Sequence, residues 1–339
     1  MEFSYKPEGV CSSKYIISIN DETKVINWVK IIGGCAGNTV NVVISDGLDN
    51  QILKDKIEKK MSLLLSEINE AQASQRNLNF EKLALSPSVT RSLSMLWENT
   101  PFMCSESEIV ERCLETGSGY QIRNIPLEMK PRGDRPYNDN EYQEAVVSFN
   151  KNGDLESFYL SISMNLYLEV IKSNLELTDL RRRQLILDYV EQFRTAYNQK
   201  DLGFLEQVFS DDALIITGKV VKRAPMDGIK MPDKITYKKQ DKQQYLGNLK
   251  RVFATNQTIK VTFDEIEVMR HPVNVDFYGV TLHQGYSSDN YHDDGFLFLL
   301  WDFSDESHPQ IHVRTWQPDR LNNQRLPKDE IFKLSDFDI

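Results

Sequence analysis

Cysteine is scarce in this chain: Cys11, Cys35, Cys104 and Cys113 are the four in 339 residues. So few thiols, so widely spaced, exclude a disulfide framework and predict reduced cysteines. Histidine is nearly as rare, with five residues and none before His271, so Cys11 and Cys35 lack nearby nitrogen ligands for a tetrahedral zinc site. Cys104 and Cys113 sit in another predicted stretch without C-x-x-C spacing. Idle thiols are the plain reading, and the alternatives are a redox pair of Cys11 and Cys35 or, less favoured, a metal site of those two completed by Cys104 and Cys113. Long apolar runs are also missing, and no stretch approaches the roughly 18 residues of a membrane-spanning helix. Residues 1–20 carry Lys and Glu where an export signal needs an apolar segment, which predicts a cytoplasmic chain. If residues 1–44 replace an authentic signal peptide, the remainder belongs outside the inner membrane.

Positive charge is in deficit: 40 Lys and Arg against 50 Asp and Glu leave a formal charge of -10. Phosphate-backbone binding needs clustered cations that displace counterions, so nucleic acid is excluded as a partner and anionic membranes are disfavoured. Glycine (16) and proline (12) are few, while 40% of residues are apolar and 27% charged, a balance that fits a folded chain and excludes a disordered or fibrous one. The length exceeds one typical core of roughly 100 to 200 residues and predicts more than one domain.

The patterns that are present predict an α+β protein. Tyr15–Ile19 and Val25–Ile32 read as a β-hairpin within a segment of residues 1–44 too short to stand alone. Leu53, Ile57, Met61, Leu64, Leu65 and Ile68 recur at helical spacing, and Ser86-Pro87 opens a second helix. Strands follow at 108–115, 120–129, 144–149 and 155–162, with Asn152-Gly153 predicting a type I′ turn and residues 130–140 an exposed loop. The pattern resets near residues 175–179, where Thr178 or Asp179 is placed to cap a helix. Asp201 caps a short helix, 213–221 is a strand, a loop leads to a helix at 241–254, and strands run at 259–269, 277–286, 295–303 and 310–317. A parity change near Asp264-Glu265 predicts a β-bulge. The predicted organisation is a β segment at 1–44, an α+β domain at 46–176, a second at 177–318, and a polar tail at 319–339 that wraps the surface.

The order helix, short helix, strand, helix, bent antiparallel sheet, with Leu187-Asp-Tyr-Val-Glu-Gln-Phe-Arg-Thr-Ala-Tyr-Asn-Gln-Lys-Asp201 as its first helix, resembles the nuclear transport factor 2-like (SnoaL-like) fold over residues 178–318. That resemblance implies a cone-shaped roll enclosing a pocket, on a fold that hosts enzymes and non-enzymes alike. Residues 46–318 together look like an uncharacterised bacterial family, which implies that the middle and last domains travel as one unit. Separately, Glu8-Gly-Val-Cys-Ser12 and Ile32-Gly-Gly-Cys-Ala-Gly-Asn38 resemble the start of the TSCPD family, four-cysteine proteins related to a ribonucleotide reductase module. Only Cys11 and Cys35 match that family's cysteines, and the likeness stops near Val40. It implies a truncated domain and, as a function, a reductase-related accessory protein.

Among polar residues on strands, His312, Arg314 and Trp316 share parity, and His283 lies on a neighbouring strand. Turned inward, with Asp302 as a mid-sheet acid, they would meet a small anionic or polar ligand. Turned outward, His312 and Arg314 would pair with Asp302 as a surface ladder. Tyr189, Tyr197 and Tyr245 could donate to an isomerase-type enolate, but a chain with 14 tyrosines supplies such sets readily. The run Ser287–Gly295 holds oxygen ligands without EF-hand spacing and reads as a solvated turn, as Lys219–Lys242 and Arg181-Arg182-Arg183 read as solvated charge. No motif calls for a cofactor. The leading expectation is a non-enzymatic binding or scaffold protein, ahead of an isomerase, cyclase or hydrolase. Its partner would be a small ligand, another protein, or a second copy docked through the sheet of the last domain.

Overall fold

The computed structural model describes residues 2–5, 14–19, 26–32, 39–130, 142–162, 166–167, 170–171, 177–222 and 232–337. The chain divides into two units. The first comprises Met1–Thr90, Pro101–Gln143 and Val147–Ser157, and the second Arg91–Thr100, Glu144–Val146 and Phe158–Ile339. The second unit thus draws on residues well before 177. Cys11, Cys35 and nearly all of the expected loop at 130–140 lie outside the described residues.

In the first unit, β1 (Glu2–Tyr5), β2 (Lys14–Ile19) and β3 (Ile26–Ile32) form an antiparallel sheet, with Tyr15 opposite Ile31 in the expected hairpin. Strand β4 (Asn41–Asp46) does not join it. It pairs in parallel with β6 (Glu108–Glu115) at the edge of a larger sheet ordered β4-β6-β7-β8-β9, in which β7 is Gly119–Met129, paired also with the short β5 (Phe102–Met103), β8 is Tyr142–Asn150 and β9 Leu155–Leu160, with Glu144–Val146 and Phe158–Leu160 counted in the second unit. Helix α1 (Gln51–Ala73) starts where the Asn50 side chain accepts from Leu53 N at 3.1 Å, and its Ile57, Met61, Leu64, Leu65 and Ile68 are fully buried. An edge strand leaves a row of amides unpaired. Here α1 answers them: Ser66, Ser62 and Glu58 accept from Val40 N, Val42 N and Ile44 N at 3.0, 2.9 and 2.7 Å. At the Asn150–Leu155 connection only Gly153 has positive φ, so the turn is not the expected type I′, which needs two such residues.

The expected helix after Ser86 is α2 (Pro87–Asn99). In the second unit, α3 (Leu177–Gln199) already runs through Thr178 and Asp179, so neither is its cap. Asp201 caps α4 (Leu202–Val208) and Asp241 caps α5 (Lys242–Thr255), accepting from Phe204 N at 3.0 Å and Gln244 N at 2.8 Å. Six strands follow the order β11-β10-β15-β14-β13-β12, spanning respectively Lys234–Gln240, Phe209–Val221, Gln310–Pro318, Tyr291–Asp302, Phe277–Ser288 and Ile259–Arg270. Only β10 and β15 pair in parallel. Strand β11 lies where a basic loop was expected. Its lysines suit an edge, where charge discourages further pairing, and it takes seven partners from β10.

The predicted bulge is present, with Glu265 at φ 50° between the pairs Asp264–His283 and Glu267–Thr281. The other edge, β12, is closed by asparagine amides. Asn99 accepts from Ile259 N at 3.0 Å and donates to Ile259 O at 2.9 Å, while Asn198 accepts from Val261 N at 2.8 Å. One face of the sheet meets the helices through Phe193, Tyr197, Phe209, Tyr245 and Phe253, stacked edge to face. The opposite face carries the C-terminal tail, whose Leu334 is buried with Phe298, Leu300 and Val313, with Phe332 and Phe337 packed beside them. The tail is therefore an apolar cover and more than the polar wrap that its composition suggested. No helix among the described residues is long and apolar enough to cross a membrane.

Candidate functional site

Strand β15 divides the residues that the sequence grouped. Opposite β14, Leu300 pairs with Val313 but Trp301 pairs with Ile311, so His312 is an extra residue at a bulge. Period-two counting fails across it. Arg314 and Trp316 face the helices, while His312 turns to the tail side, its ring 5.7 Å from that of Phe277. Its nitrogens lie 3.5 Å from Asp212 and 3.6 Å from Asp302. Asp302 also accepts from Ser304 N at 2.8 Å and Ser304 Oγ at 2.6 Å. His283 is on the same outer face, with Nδ1 3.0 Å from Asp264, Nε2 4.0 Å from Asp319, and its ring edge-on to Phe296. The hydrogen bond that its ring donates to Asp264 raises its pKa against the opposing effect of burial. Thus the five ligand candidates form an outer group of three and an inner pair.

The inner pair has different surroundings. Arg314 is 6% exposed, its guanidinium 5.1 Å above the Tyr245 ring, and its Nε has no acceptor. Burial works against its charge, but Tyr245 and Tyr197 hold it, and its pKa stays above the ordinary arginine value. Among the described residues no carboxylate lies within 4 Å of it. The hydroxyls of Tyr197 and Tyr245, named from sequence only as loose donor candidates, meet at 2.5 Å. Burial and then Tyr245 push the Tyr197 phenol well above its usual range. Tyr189 is elsewhere, donating to Ser307 O at 3.4 Å. Trp316 is 9% exposed and its Nε1 is likewise without an acceptor. Gly295 makes room for it, since a Cβ there would sit 2.6 Å from the indole ring.

Two residues of this face escaped the sequence reading. Gln240 is opposite Ile215, which is opposite Arg314, so the two long side chains share a face one strand apart. Gln240 is buried and its Nε2 has no partner. The signal was the alternation in Lys234-Ile-Thr-Tyr-Lys-Lys-Gln240, masked by its lysines. Asp293 shares parity with Gly295, Leu297 and Leu299, and burial raises its carboxyl above the usual range although Tyr291 donates to it at 2.7 Å. It was read as part of a solvated turn, whereas β13 and β14 continue to Ser288 and Tyr291 and leave only two residues between them. One of those two, Asp289, accepts from Gln257 N and Thr258 N at 2.6 and 2.9 Å.

Other candidates resolve into structure. Arg182 donates to Phe303 O at 2.7 Å and Arg183 is buried, so that triplet is not simply solvated. Burial pushes the thiols of Cys104 and Cys113 up to about 11, which makes them poor nucleophiles at neutral pH. Among the described residues no cluster of His, Cys, Asp and Glu could hold a metal ion. A surface groove of about 750 Å³ runs between α4 and α5, lined by Leu202, Glu206, Asp211, Lys242, Leu246 and Lys250, and Lys242 is already paired with Asp211 at 2.8 Å.

Comparison with known proteins fits this architecture. Residues 232–312 match the family model described as the Cds6 C-terminal NTF2-like domain. The second unit has an NTF2-like fold. The matched stretch, running from β11 into β15, contains Gln240, Tyr245, His283, Asp293 and Asp302, while Arg314 and Trp316 follow its end. It lies wholly outside residues 1–40, so the TSCPD resemblance gains no support from it.

Curated proteins include none that matches the chain. Among solved structures, Bd1075 of Bdellovibrio bacteriovorus is 18% identical over 42% of this chain, with a TM-score of 0.32. The match spans only 44% of the Bdellovibrio chain. An NTF2-like protein of Cytophaga hutchinsonii is 14% identical over 40% of this chain and 98% of its own, with a TM-score of 0.31. The NTF-2-like protein PA1314 of Pseudomonas aeruginosa is 11% identical over 40% and 98%, also at 0.31.

Proposed function

We propose that the second unit is a non-catalytic binding module that receives a small anionic or polar ligand on the helix-covered face of its sheet. Arg314 carries the proposal. A buried charge costs several kcal/mol of hydration unless it is paired, and this guanidinium has the Tyr245 ring, the Tyr197 hydroxyl and the more distant Asp293 to hold it, while its Nε has no acceptor. An arriving anion completes the compensation with a planar acceptor that suits arginine's fork. Lys238, exposed and two residues from Gln240 on the same strand, gives incoming anions a positive approach.

A second reading, a small-molecule enzyme of isomerase, cyclase or hydrolase type, is favoured by Asp293. A carboxyl raised by burial, with the Arg314 cation near enough to act on it, has the makings of a general base. The binding reading ranks first because, among the described residues, no group in this face is activated as a nucleophile. Isothermal titration against a panel of small carboxylates and phosphates, with Arg314→Met as control, separates the two. Saturable binding that the substitution weakens by about 1.5 to 3 kcal/mol supports the module. Turnover of a bound compound that Asp293→Asn abolishes, with binding retained, would establish the enzyme instead.

A further inference from the structure

Three buried nitrogen donors without acceptors lie on one face of the sheet: Gln240 Nε2, Arg314 Nε and Trp316 Nε1. Arg314 is 6% exposed, and Gln240 and Trp316 are each 9% exposed. Gln240 and Arg314 lie in one cross-strand row, with Ile215 between them, and Trp316 stands two residues along the strand in the next row, opposite Leu297 and Thr217. Buried donors are nearly always paired in folded proteins, so three orphans on one patch are unusual. From them we infer that the patch is a cradle for the carboxylate of a flat, aromatic-bodied monoanion, a conclusion that rests on the binding-module reading.

Charge and geometry both argue for a carboxylate over a phosphate. The patch offers one full positive charge, and the amide and indole add donors without adding charge. Asp293 is close enough for its charge and that of Arg314 to act on each other, and a phosphate carrying roughly -1.5 to -2 would meet that carboxyl less favourably than a single negative charge would. The two oxygens of one carboxylate offer about four acceptor positions, enough in number for the three N–H groups. The walls are aromatic. Tyr245 lies under the guanidinium, and the Trp316 indole rests over Gly295, where any side chain would displace it. Flat rings pack on such walls with a gain beyond their buried area.

The test uses the full-length chain labelled with nitrogen-15 and follows the indole N–H signals of its four tryptophans. Trp316→Phe identifies the Trp316 signal. Sodium benzoate, inorganic phosphate and benzamide are the probes. Benzoate should shift the Trp316 signal saturably, while phosphate and benzamide leave it in place. Gln240→Leu should weaken benzoate binding about five- to tenfold, the loss of one neutral hydrogen bond, without lowering the melting temperature, because an orphaned amide contributes nothing to the unliganded fold. A shift with phosphate and none with benzoate overturns the carboxylate assignment and leaves the anion reading standing. Equal shifts with benzamide, or none with any probe, overturn both. A Gln240→Leu protein that melts earlier and binds benzoate unchanged shows that Gln240 serves the fold, and the cradle fails.

Discussion

Arg314 and His283 are both basic residues on the same sheet, and their environments give them opposite roles. Arg314 has aromatic contacts and, among the described residues, no carboxylate within ion-pair distance, with Asp293 acting on it from farther off, which is the condition of a receiving group. His283 has Asp264 at 3.0 Å and Asp319 at 4.0 Å, with Glu265 adding negative potential and Arg325 held by Glu265 beside it, which is the condition of a structural ion pair. Its folded pKa is raised, so its contribution to stability is fully present below the ordinary imidazole value near 6.5 and disappears as pH rises through the raised value. Denaturant titrations of wild type and His283→Gln should therefore differ most at mildly acidic pH and converge in alkaline buffer. A gap that widened with pH would contradict the assignment. Counting in twos puts His312, Arg314 and Trp316 on one face, with His283 set beside them from a neighbouring strand, and one extra residue in β15 defeats the count. Bulges arise from how a strand pairs with its neighbours, which a single sequence does not display. Asp293 and Gln240 were hidden for a different reason: acidic and basic runs look solvated until the strands around them are known.

At the scale of elements, both units seal an edge strand with side chains. Ser66, Ser62 and Glu58 do so for β4, and Asn99 and Asn198 for β12. Asn198→Leu leaves Val261 N buried without a partner and should cost about 1 to 3 kcal/mol in chemical denaturation. A neutral result would mean that water reaches the edge. The same logic distinguishes two N-terminal truncations. Removing residues 1–36 keeps β4, whereas removing 1–46 takes away Val40, Val42 and Ile44, each at most 2% exposed. Only the longer deletion should lower the melting temperature strongly. The helices and the sheet of the second unit were legible because their apolar spacing is regular. The pairing of residues 41–46 is not legible in the sequence because its partners in Glu108–Arg112 lie more than sixty residues away. The tail makes a third case. Leu334 packs on Phe298, Leu300 and Val313, and Leu334→Ala should cost about 2 to 5 kcal/mol, the ordinary penalty for truncating a buried leucine. Ending the chain at Pro318 would uncover that face, and light scattering should then detect concentration-dependent self-association that the intact chain lacks.

For the whole molecule, fold and function separate in how far the sequence discloses them. An α+β organisation with an NTF2-like second unit follows from hydrophobic period, capping residues and the match over residues 232–312. The candidate site does not, because it consists of what three buried donors lack, and a missing acceptor has no signature in a linear chain. The central claim is that Arg314 is kept as a receiver at some cost to the fold. Equilibrium unfolding of the full-length protein and of Arg314→Met, both without ligand, tests it most directly. Methionine fills a similar volume without a charge, and the Tyr197 and Tyr245 hydroxyls still bond each other. The account predicts that Arg314→Met is as stable as wild type or more so, by up to about 1 to 4 kcal/mol, as when an imperfectly compensated buried charge gives way to an apolar side chain. A loss of about 3 kcal/mol or more would contradict it and make Arg314 a structural residue.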